Sequence, residues 1–118
     1  MEQQIQDLYE VLNGILPTYP GKAPENATLP VIVYLEVART NPQTVCGYQN
    51  DIQSSLIQID LYTKTYIEQM QYAEIIRQEL QLFNTTNNIL NQGETSMFDE
   101  SPELHRRIFQ IKLFEKRI

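Results

Sequence analysis

The sequence predicts a two-layer α+β sandwich, in which two helices cover one face of a mostly antiparallel four-stranded sheet in the order α-β-β-α-β-β. Between Ile57 and Phe83, apolar residues first alternate as in a half-buried strand and then recur every three or four positions as on one helical face. A second alternating run closes the chain at residues 104–116. A length of 118 residues with 42% hydrophobic content is enough for one core, so we expect a single domain over residues 1–118.

The two helices are predicted from their apolar faces and from their end signals. The first covers residues 3–16, and Asn13-Gly14 marks its end. The second begins after Thr65, because Thr65 and Glu68 have the spacing of a capping box, which satisfies free backbone donors at a helix start. The predicted core face of the second helix consists of Ile67, Met70, Ala73, Ile76, Leu80 and Phe83.

The four strands are predicted from alternating apolar residues and from the turn residues between them. Their predicted ranges are residues 30–39, 57–62, 89–98 and 104–116. Gly93 indicates a bulge or a bend in the third strand. The proline-rich segment 17–29 and the polar segment 40–53 are predicted to be loops, and such long loops often carry binding functions. The strand residues expected to face the helices are Val31, Val33, Leu35, Val37, Ile57, Ile59, Leu61, Phe109, Ile111 and Leu113.

The second face of the predicted sheet, which begins with Ile32, mixes aromatic residues with charges of both signs. This composition is typical of a protein–protein interface. Ordinary cross-strand ion pairs, such as Glu36 or Asp60 opposite Lys112, explain the charges equally well, and both interpretations remain open. The residues predicted to form a subunit or partner interface are Tyr34, Glu36, Asp60, Tyr62, Arg106, Ile108, Lys112 and Phe114.

Charge is distributed unevenly along the chain. The net charge is −6, but residues 106–118 contain five of the nine basic residues and one of the fifteen acidic ones. An acidic chain lacks the clustered cations that general nucleic-acid binding requires. The basic end is interpreted either as a solvated terminus or as a positive edge that meets a negative surface of another copy; head-to-tail contacts of the second kind close into rings.

Candidate chemistry is sparse, and no catalytic, cofactor-binding or metal-ligating residue is predicted. Cys46 is the only cysteine, so no internal disulfide is expected, and a catalytic pair with His105 is weighed against an incidental loop cysteine. Asp99, Glu100, Glu103 and His105 form a metal-like cluster, but an acidic turn beside a histidine is the commoner arrangement. Glu36 and Asp60, on adjacent predicted strands, are candidates for an acid–base pair, with surface charge as the alternative. Phosphate-binding and nucleophile motifs are absent from the sequence.

Neither a membrane span nor a signal peptide is expected. No apolar run approaches the roughly 18 residues that cross a bilayer. The first ten residues are acidic and amphipathic, without the basic region of a signal peptide, so a cytoplasmic site of synthesis is expected.

Three segments, taken in order, resemble a known family. LPVIVYLEVART is a strand with a central aromatic residue, IQIDLYTKTYIEQMQYAEIIRQEL is a strand, a short Lys/Thr turn and a long helix, and FDESPELHRRIFQIKLFEKR is an acidic turn before an Arg-containing alternating strand. The resemblance covers most of the chain, residues 5–116. In this order they resemble the small tail-completion proteins of long-tailed bacteriophages and prophages, which include the tail terminators of siphophages.

The resemblance implies structural work in the virion, at the interface of head and tail, after assembly in the host cytoplasm. Proteins of this family form a ring, typically of six subunits, that ends polymerisation of the tail tube and presents a surface to the head connector. The implied partners are other copies of the chain, the tail tube protein and a connector or head-completion protein. Genomic DNA passes through the ring, and an acidic lumen avoids tight phosphate binding.

Two other functions remain open at the level of sequence. A head-completion or neck protein would join the connector without limiting the tube. A small-molecule-binding regulatory domain is the alternative from another class, because two-layer α+β folds support many functions. The enzyme interpretation predicts loss of activity on replacing Cys46 or His105 by alanine, whereas the terminator interpretation predicts that both changes are tolerated.

Overall fold

A computed structural model describes residues 2–40, 44–45, 48–49, 52–85, 88–100 and 103–116. Side chains are described over the same ranges except at residues 44–52, 88, 99–103 and 115–116. The described elements, in chain order, are α1 Glu2–Asn13, β1 Thr18–Pro20, β2 Val31–Thr40, β3 Thr44–Val45, β4 Tyr48–Gln49, β5 Ile52–Thr63, α2 Tyr66–Phe83, β6 Asn88–Glu100 and β7 Glu103–Lys116.

The fold is α+β, as predicted, with two described helices and one main sheet. The prediction of four mostly antiparallel strands is wrong, because the sheet has five strands in the order β1-β2-β5-β7-β6 and is mixed. β1 runs parallel to β2, and the other neighbours are antiparallel. The strand β7 therefore lies inside the sheet between β5 and β6, and the edges are β1 and β6.

The extra strand arises within the predicted loop 17–29. After α1 the chain turns back along β2, where Ile32 N donates to Pro17 O at 2.9 Å and Gly21 N donates to Tyr34 O at 2.8 Å. These bonds satisfy backbone groups that would otherwise be buried without partners. The predicted loop 40–53 also contains structure, namely the small hairpin of β3 and β4. The molecule is elongated, with extents of 55 × 26 × 23 Å, because β2, β5, β6 and β7 are long strands.

Both helices pack on the same face of the main sheet. Leu8 and Leu12 of α1 are fully buried, and α1 ends at Asn13 rather than at the predicted residue 16. They share one core with the buried residues of α2 and with Ile57, Ile59 and Leu61 of β5, and Phe109, Ile111 and Leu113 of β7. The predicted core residues of β5 and β7 are therefore confirmed, and we call this side of the sheet the covered face.

The start of α2 is confirmed, but the predicted face of its first turns is wrong. Thr65 caps the helix, since its Oγ1 accepts a hydrogen bond from Glu68 N at 3.2 Å. Ala73 and the later predicted residues are buried, whereas Ile67 and Met70 are exposed and Gln69 is buried in their place. Residues advance by about 100° along a helix, so Gln69 lies about 40° from Ala73 and Ile67 about 120° from it.

The predicted faces of β2 are reversed. Ile32 lies opposite Leu61 and Tyr34 lies opposite Ile59, so both share the covered face with core residues of β5. Val31 and Val33 lie on the other face and are nonetheless buried. A bulge between Glu36 and Ala38 shifts the register further along the strand. Both faces of β2 are apolar because the segment 21–29 packs over Val31 and Val33, which the alternation alone does not reveal.

The predicted bulge in the third long strand is confirmed. The pairing of β6 with β7 shifts between Asn91 and Gly93, and Gly93 has a φ of 132°, which favours glycine. Gly93 N donates to Asn91 Oδ1 at 2.9 Å, so the donor at the bulge is satisfied locally. The bulge sets the register in which Glu94 lies opposite Phe109 on the covered face.

Neither of the helices in the described part of the chain is long and apolar enough to cross a membrane.

Candidate functional site

The face of the sheet opposite the helices, which we call the open face, has no helix packed on it among the described elements. Its pattern follows from the strand register, because residues directly opposite each other in antiparallel strands point to the same side. Gln58 lies opposite Gln110, and Asp60 lies opposite Ile108. The open face is therefore the main uncovered surface of the sheet and the first place to look for a binding site.

Six of the eight predicted interface residues lie on the open face. They are Asp60, Tyr62, Arg106, Ile108, Lys112 and Phe114. The other two, Tyr34 and Glu36, lie on the covered face, because Tyr34 is opposite Ile59 and Glu36 is opposite Ile57. The assignment of these two residues to the shared second face is therefore wrong, while a contact role for the other six stays a prediction.

A polar cluster occupies the middle of the open face. The Asp60 side chain is 4% exposed, and Arg106 Nη2 donates to its Oδ2 at 2.8 Å. Gln58 Nε2 donates to Asp60 Oδ1 at 3.1 Å, and the Arg106 guanidinium lies 5.5 Å from the centre of the Tyr62 ring. Burial, followed by the Asp60 charge, raises the pKa of the Tyr62 phenol. These contacts hold Arg106 within its own chain.

Beside the cluster, the open face is concave, and Lys112 is one of the described residues that line the hollow. A hollow of about 200 Å³ is lined by Lys112 of β7, Gln92 of β6, Leu56 and Ser54 of β5, and Ala38 and Thr40 of β2. Because four successive strands line it, the sheet curves around this point. Lys112 Nζ lies 5.7 Å from the centre of the Phe114 ring. Lys112 makes no ion pair with any of the described residues.

The other end of the open face is partly covered by the segment 21–29. A cavity of about 370 Å³ lies between this segment and the sheet. Its sheet side is formed by Val31, Val33, Tyr62 and Leu104, and Lys22 and Glu25 stand on the opposite wall. The cavity is thus mostly apolar, with one phenol and two charged groups at its border.

Glu36 belongs to a separate contact network beneath α1. Its carboxylate accepts hydrogen bonds from Ser55 Oγ and, at 2.8 Å, from Arg39 Nε. Arg39 Nη1 also contacts Glu2 Oε1 at 2.6 Å, which ties β2 to the start of α1. Glu36 and Asp60 are on opposite faces, so an acid–base pair between them is excluded by the register. Neither residue lies opposite Lys112, whose cross-strand neighbour on β5 is Leu56.

A second ion-pair cluster joins α2 to the covered face. The Glu94 carboxylate of β6 forms ion pairs with Arg77 Nε at 2.8 Å and with Arg107 Nη1 at 2.9 Å. Arg77 also forms an ion pair with Glu74. Hydrogen bonding from Arg77 is the largest cause that holds the pKa of Glu94 below its ordinary value. Arg106 and Arg107 therefore point to opposite faces with separate carboxylates, and β7 is an interior strand, so the predicted positive edge is not formed by these two residues.

The sequence interpretation missed a group of exposed apolar side chains around His105. The imidazole centre lies 4.6 Å from the Phe98 ring centre and 6.2 Å from the Tyr66 ring centre. Met70 is close by, with its sulfur 3.8 Å from Arg107 Nη2. Ile67 and Met70 are the sequence signal for exposed apolar side chains on α2, but their helical spacing assigns them to the core because the predicted core face extends one turn too far.

Two of the candidate chemical sites fall where the structure is not described. Cys46 and the side chains of Asp99, Glu100 and Glu103 lie outside the described residues, so pairing with His105 is not addressed. Among the side chains that are described, no group of three or more His, Cys, Asp or Glu residues could hold a metal ion.

The described geometry is that of a small α+β protein with an open sheet face, an exposed aromatic group and one long exposed strand. A comparison with protein-family models and a search of curated proteins found no match to this chain.

Proposed function

We propose that this chain is a structural protein of a long-tailed bacteriophage or prophage, a tail terminator that acts without enzymatic chemistry. In this proposal several copies, with six as the expected number, form a ring on the last ring of the tail tube. The ring ends tube polymerisation and offers its other side to the head connector. The order of the three segments that resemble tail-completion proteins is the starting point of the proposal.

The observation that supports it most directly is the bare part of the open face. Leu56 and Phe114 are only half-buried there and lie beside Lys112, which lacks an ion pair among the described residues, and Ile108 is half-buried four residues earlier on β7. Half-buried apolar side chains around one charge are a composition found at protein interfaces. Arg106, by contrast, is engaged with Asp60 and is less suited to an intermolecular contact.

The proposed mechanism is capping by surface complementarity. A ring requires a heterologous contact, in which two different surfaces of the chain meet and repeat until the circle closes. The open face supplies one such surface, and the acidic remainder of the chain supplies a partner for Lys112. One side of the ring would match the tube, and the other side would lack the polymerising surface of the tube subunit. The lumen would admit DNA, and the net charge of −6 disfavours tight phosphate contacts.

The first experiment measures mass by light scattering over a wide range of protein and salt concentration, followed by electron microscopy of any oligomer. We expect a salt-sensitive increase from 13.8 kDa to one closed oligomer that appears as rings. Lys112→Glu should weaken the association about tenfold, which corresponds to about 1.4 kcal/mol. Lys64→Glu is the matched control, since it makes the same charge change at an exposed residue before α2.

Association that Lys112→Glu leaves intact would remove the open face from the proposed ring contact. A monomer that also fails to limit the length of tail tubes assembled in vitro from purified tube protein would contradict the terminator proposal itself. A protein that binds the connector but leaves tube length unchanged would instead be a head-completion or neck protein. Measuring tube length therefore separates these two phage functions.

The cavity beneath residues 21–29 favours a second candidate, a small-molecule-binding regulatory domain. Its volume of about 370 Å³ and its apolar walls are within the range of ligand pockets. A ligand that binds there should raise the melting temperature of the protein, and Val33→Trp, which fills the cavity, should abolish that increase. A thermal-shift screen with small planar carboxylates and amines tests this candidate, and its result does not depend on whether the protein forms an oligomeric ring.

A further inference from the structure

We propose that the outer edge of β6 between Glu94 and Glu100 binds an extended segment of another protein, which adds to the sheet as a further strand and carries alternating apolar and basic residues. This inference goes beyond ring formation and does not depend on it. Its parts are an unpaired backbone edge, exposed apolar side chains on both sides of that edge, and a local excess of negative charge.

The backbone of β6 is paired on one side only. The strand is the last in the order β1-β2-β5-β7-β6, and its thirteen residues run from Asn88 to Glu100. A strand at a sheet edge presents a row of free N–H and C=O groups that can pair with another chain. The opposite edge, β1, has three residues and ends at Pro20, so it offers little to an incoming strand.

The two halves of β6 differ in how well their edge is protected. In the first half, Ile89 N donates to Asn84 Oδ1 at 3.1 Å, Gly93 N donates to Asn91 Oδ1 at 2.9 Å, and the bulge interrupts the regular ladder. Bulges, charges and prolines are the usual devices that keep an edge from pairing. Between Thr95 and Phe98 the strand contains none of them, and its pairing with β7 is regular.

The same stretch exposes large apolar side chains in both directions. Met97 is 49% exposed and lies on the open face, and Phe98 is 51% exposed and lies on the covered face beside His105. Tyr66 extends the apolar surface beyond His105. An added strand places successive side chains on alternate faces, so the apolar residues of an alternating segment would cover Phe98 on the covered face, and the methylene groups of its basic residues would lie over Met97 on the open face.

Charge selects the kind of segment that fits. Asp99 and Glu100 end β6, and Glu103 begins β7 opposite Glu100, so three acidic positions gather at this end of the hairpin. A second copy of β6 would bring these acidic positions alongside each other in a parallel pair, and would place Glu100 opposite Glu94 in an antiparallel pair centred on Met97, so repulsion disfavours it. A segment with lysine or arginine at alternate positions meets the acidic end favourably, and we therefore assign the edge to a basic strand of a different protein.

The test uses the full chain, labelled with nitrogen-15, and a short synthetic peptide of alternating valine and lysine as the probe. We expect amide shifts concentrated at Glu94–Glu100 and slowed amide exchange of the outward-facing groups. A peptide that is N-methylated at every second residue keeps its charge but loses the donors on one edge, so it should bind at least about tenfold more weakly. A peptide of valine and glutamate should not bind.

The protein variants address the side chains. The double change Met97→Lys and Phe98→Lys should reduce affinity for the peptide about tenfold or more. Leu82→Lys is the matched control, because Leu82 is an exposed apolar residue on α2. The Leu82→Lys variant should bind the peptide with unchanged affinity. Equal binding of the N-methylated peptide, or amide shifts outside β6, would overturn the proposal. Concentration-dependent dimerisation that the double variant abolishes would also overturn it, because the occupant would then be a second copy.

Discussion

The two faces of the sheet differ in how deeply their side chains are buried, although the same strands form both. On β7, Phe109 is fully buried against the helices, and the neighbouring Ile108 is only half-buried on the open face. The covered face is continuous apolar core from β2 to β7. The open face carries a buried ion pair, a concave hollow and half-buried apolar residues. One face therefore supplies most of the apolar core, and the other leaves several apolar side chains only half-buried.

The charged residues show the same division on a smaller scale. Arg106 and Arg107 are adjacent, yet one joins Asp60 within the open face and the other joins Glu94 against α2. Each arginine lies against a carboxylate that is mostly buried, so both are held within the chain. Adjacent basic residues in the sequence therefore do not form one basic surface, and Lys112 differs from both arginines in making no ion pair with the described residues.

The largest expected difference is between the two faces at residues 108 and 109. Phe109→Ala should lower the free energy of unfolding by about 3–5 kcal/mol, because it removes a large side chain from the closed core and leaves a cavity. Ile108→Ala should cost only about 1 kcal/mol, because its side chain is half-buried on the open face. Urea unfolding followed by circular dichroism measures both values. Similar losses for the two variants would mean that the open face is covered in solution, for example by another copy.

The next largest effect tests the ion pair of the open face. Arg106→Met leaves the nearly buried Asp60 carboxylate without its 2.8 Å partner and should cost about 2 kcal/mol. Lys112→Met, which removes the same charge a short distance along the strand, should change stability by less than about 0.5 kcal/mol. The double variant Arg106→Met with Asp60→Asn should recover part of the loss, because it no longer buries an unpaired charge. Equal effects of the two single variants would contradict this account.

A smaller, pH-dependent effect is expected on the covered face. The pKa of Glu94 is held below its ordinary value by Arg77 and Arg107, so its contribution is present above the ordinary carboxyl pKa and is lost as the pH falls through the lowered one. Glu94→Gln should therefore cost about 1–2 kcal/mol at neutral pH and progressively less in acid. Glu10→Gln is the control, since Glu10 is exposed on α1 and makes no ion pair with the described residues. A loss that is independent of pH would show that Glu94 acts by packing alone.

The sequence was sufficient wherever a single pattern determined the structure. The cap at Thr65, the bulge at Gly93 and the core residues of β7 each follow from local chemistry and are present as predicted. The α+β class followed from the same patterns. The position of β7 inside the sheet did not, because strand order depends on contacts between distant segments that a single sequence does not display.

The predictions fail where contacts between segments distant in the sequence decide the structure. Both faces of β2 are apolar because helices cover one and residues 21–29 cover part of the other, so alternation could not assign Tyr34 and Glu36 correctly. The pairing of β1 with β2 rests on backbone groups of a proline-containing segment, which has no alternating signal. The aromatic group around His105 unites residues from β6, β7 and α2, and no sequence spacing connects them.

The smallest predicted effect marks where the covered face ends. Ile67 is 69% exposed, so Ile67→Ser should change the free energy of unfolding by less than about 0.5 kcal/mol. Ile76→Ser, two and a half helical turns later, should cost about 3–4 kcal/mol, because Ile76 is fully buried in the core. If α2 were rotated as the sequence pattern predicts, both changes would strongly lower the free energy of unfolding.

Gln69→Lys tests the same rotation from the other side, since the predicted rotation would leave stability unchanged by it. In the observed rotation Gln69 is buried and accepts a hydrogen bond from Ser96 Oγ, so a lysine there would be destabilising. Ile67, at the first turn of α2, therefore belongs to the exposed surface of the helix rather than to the core.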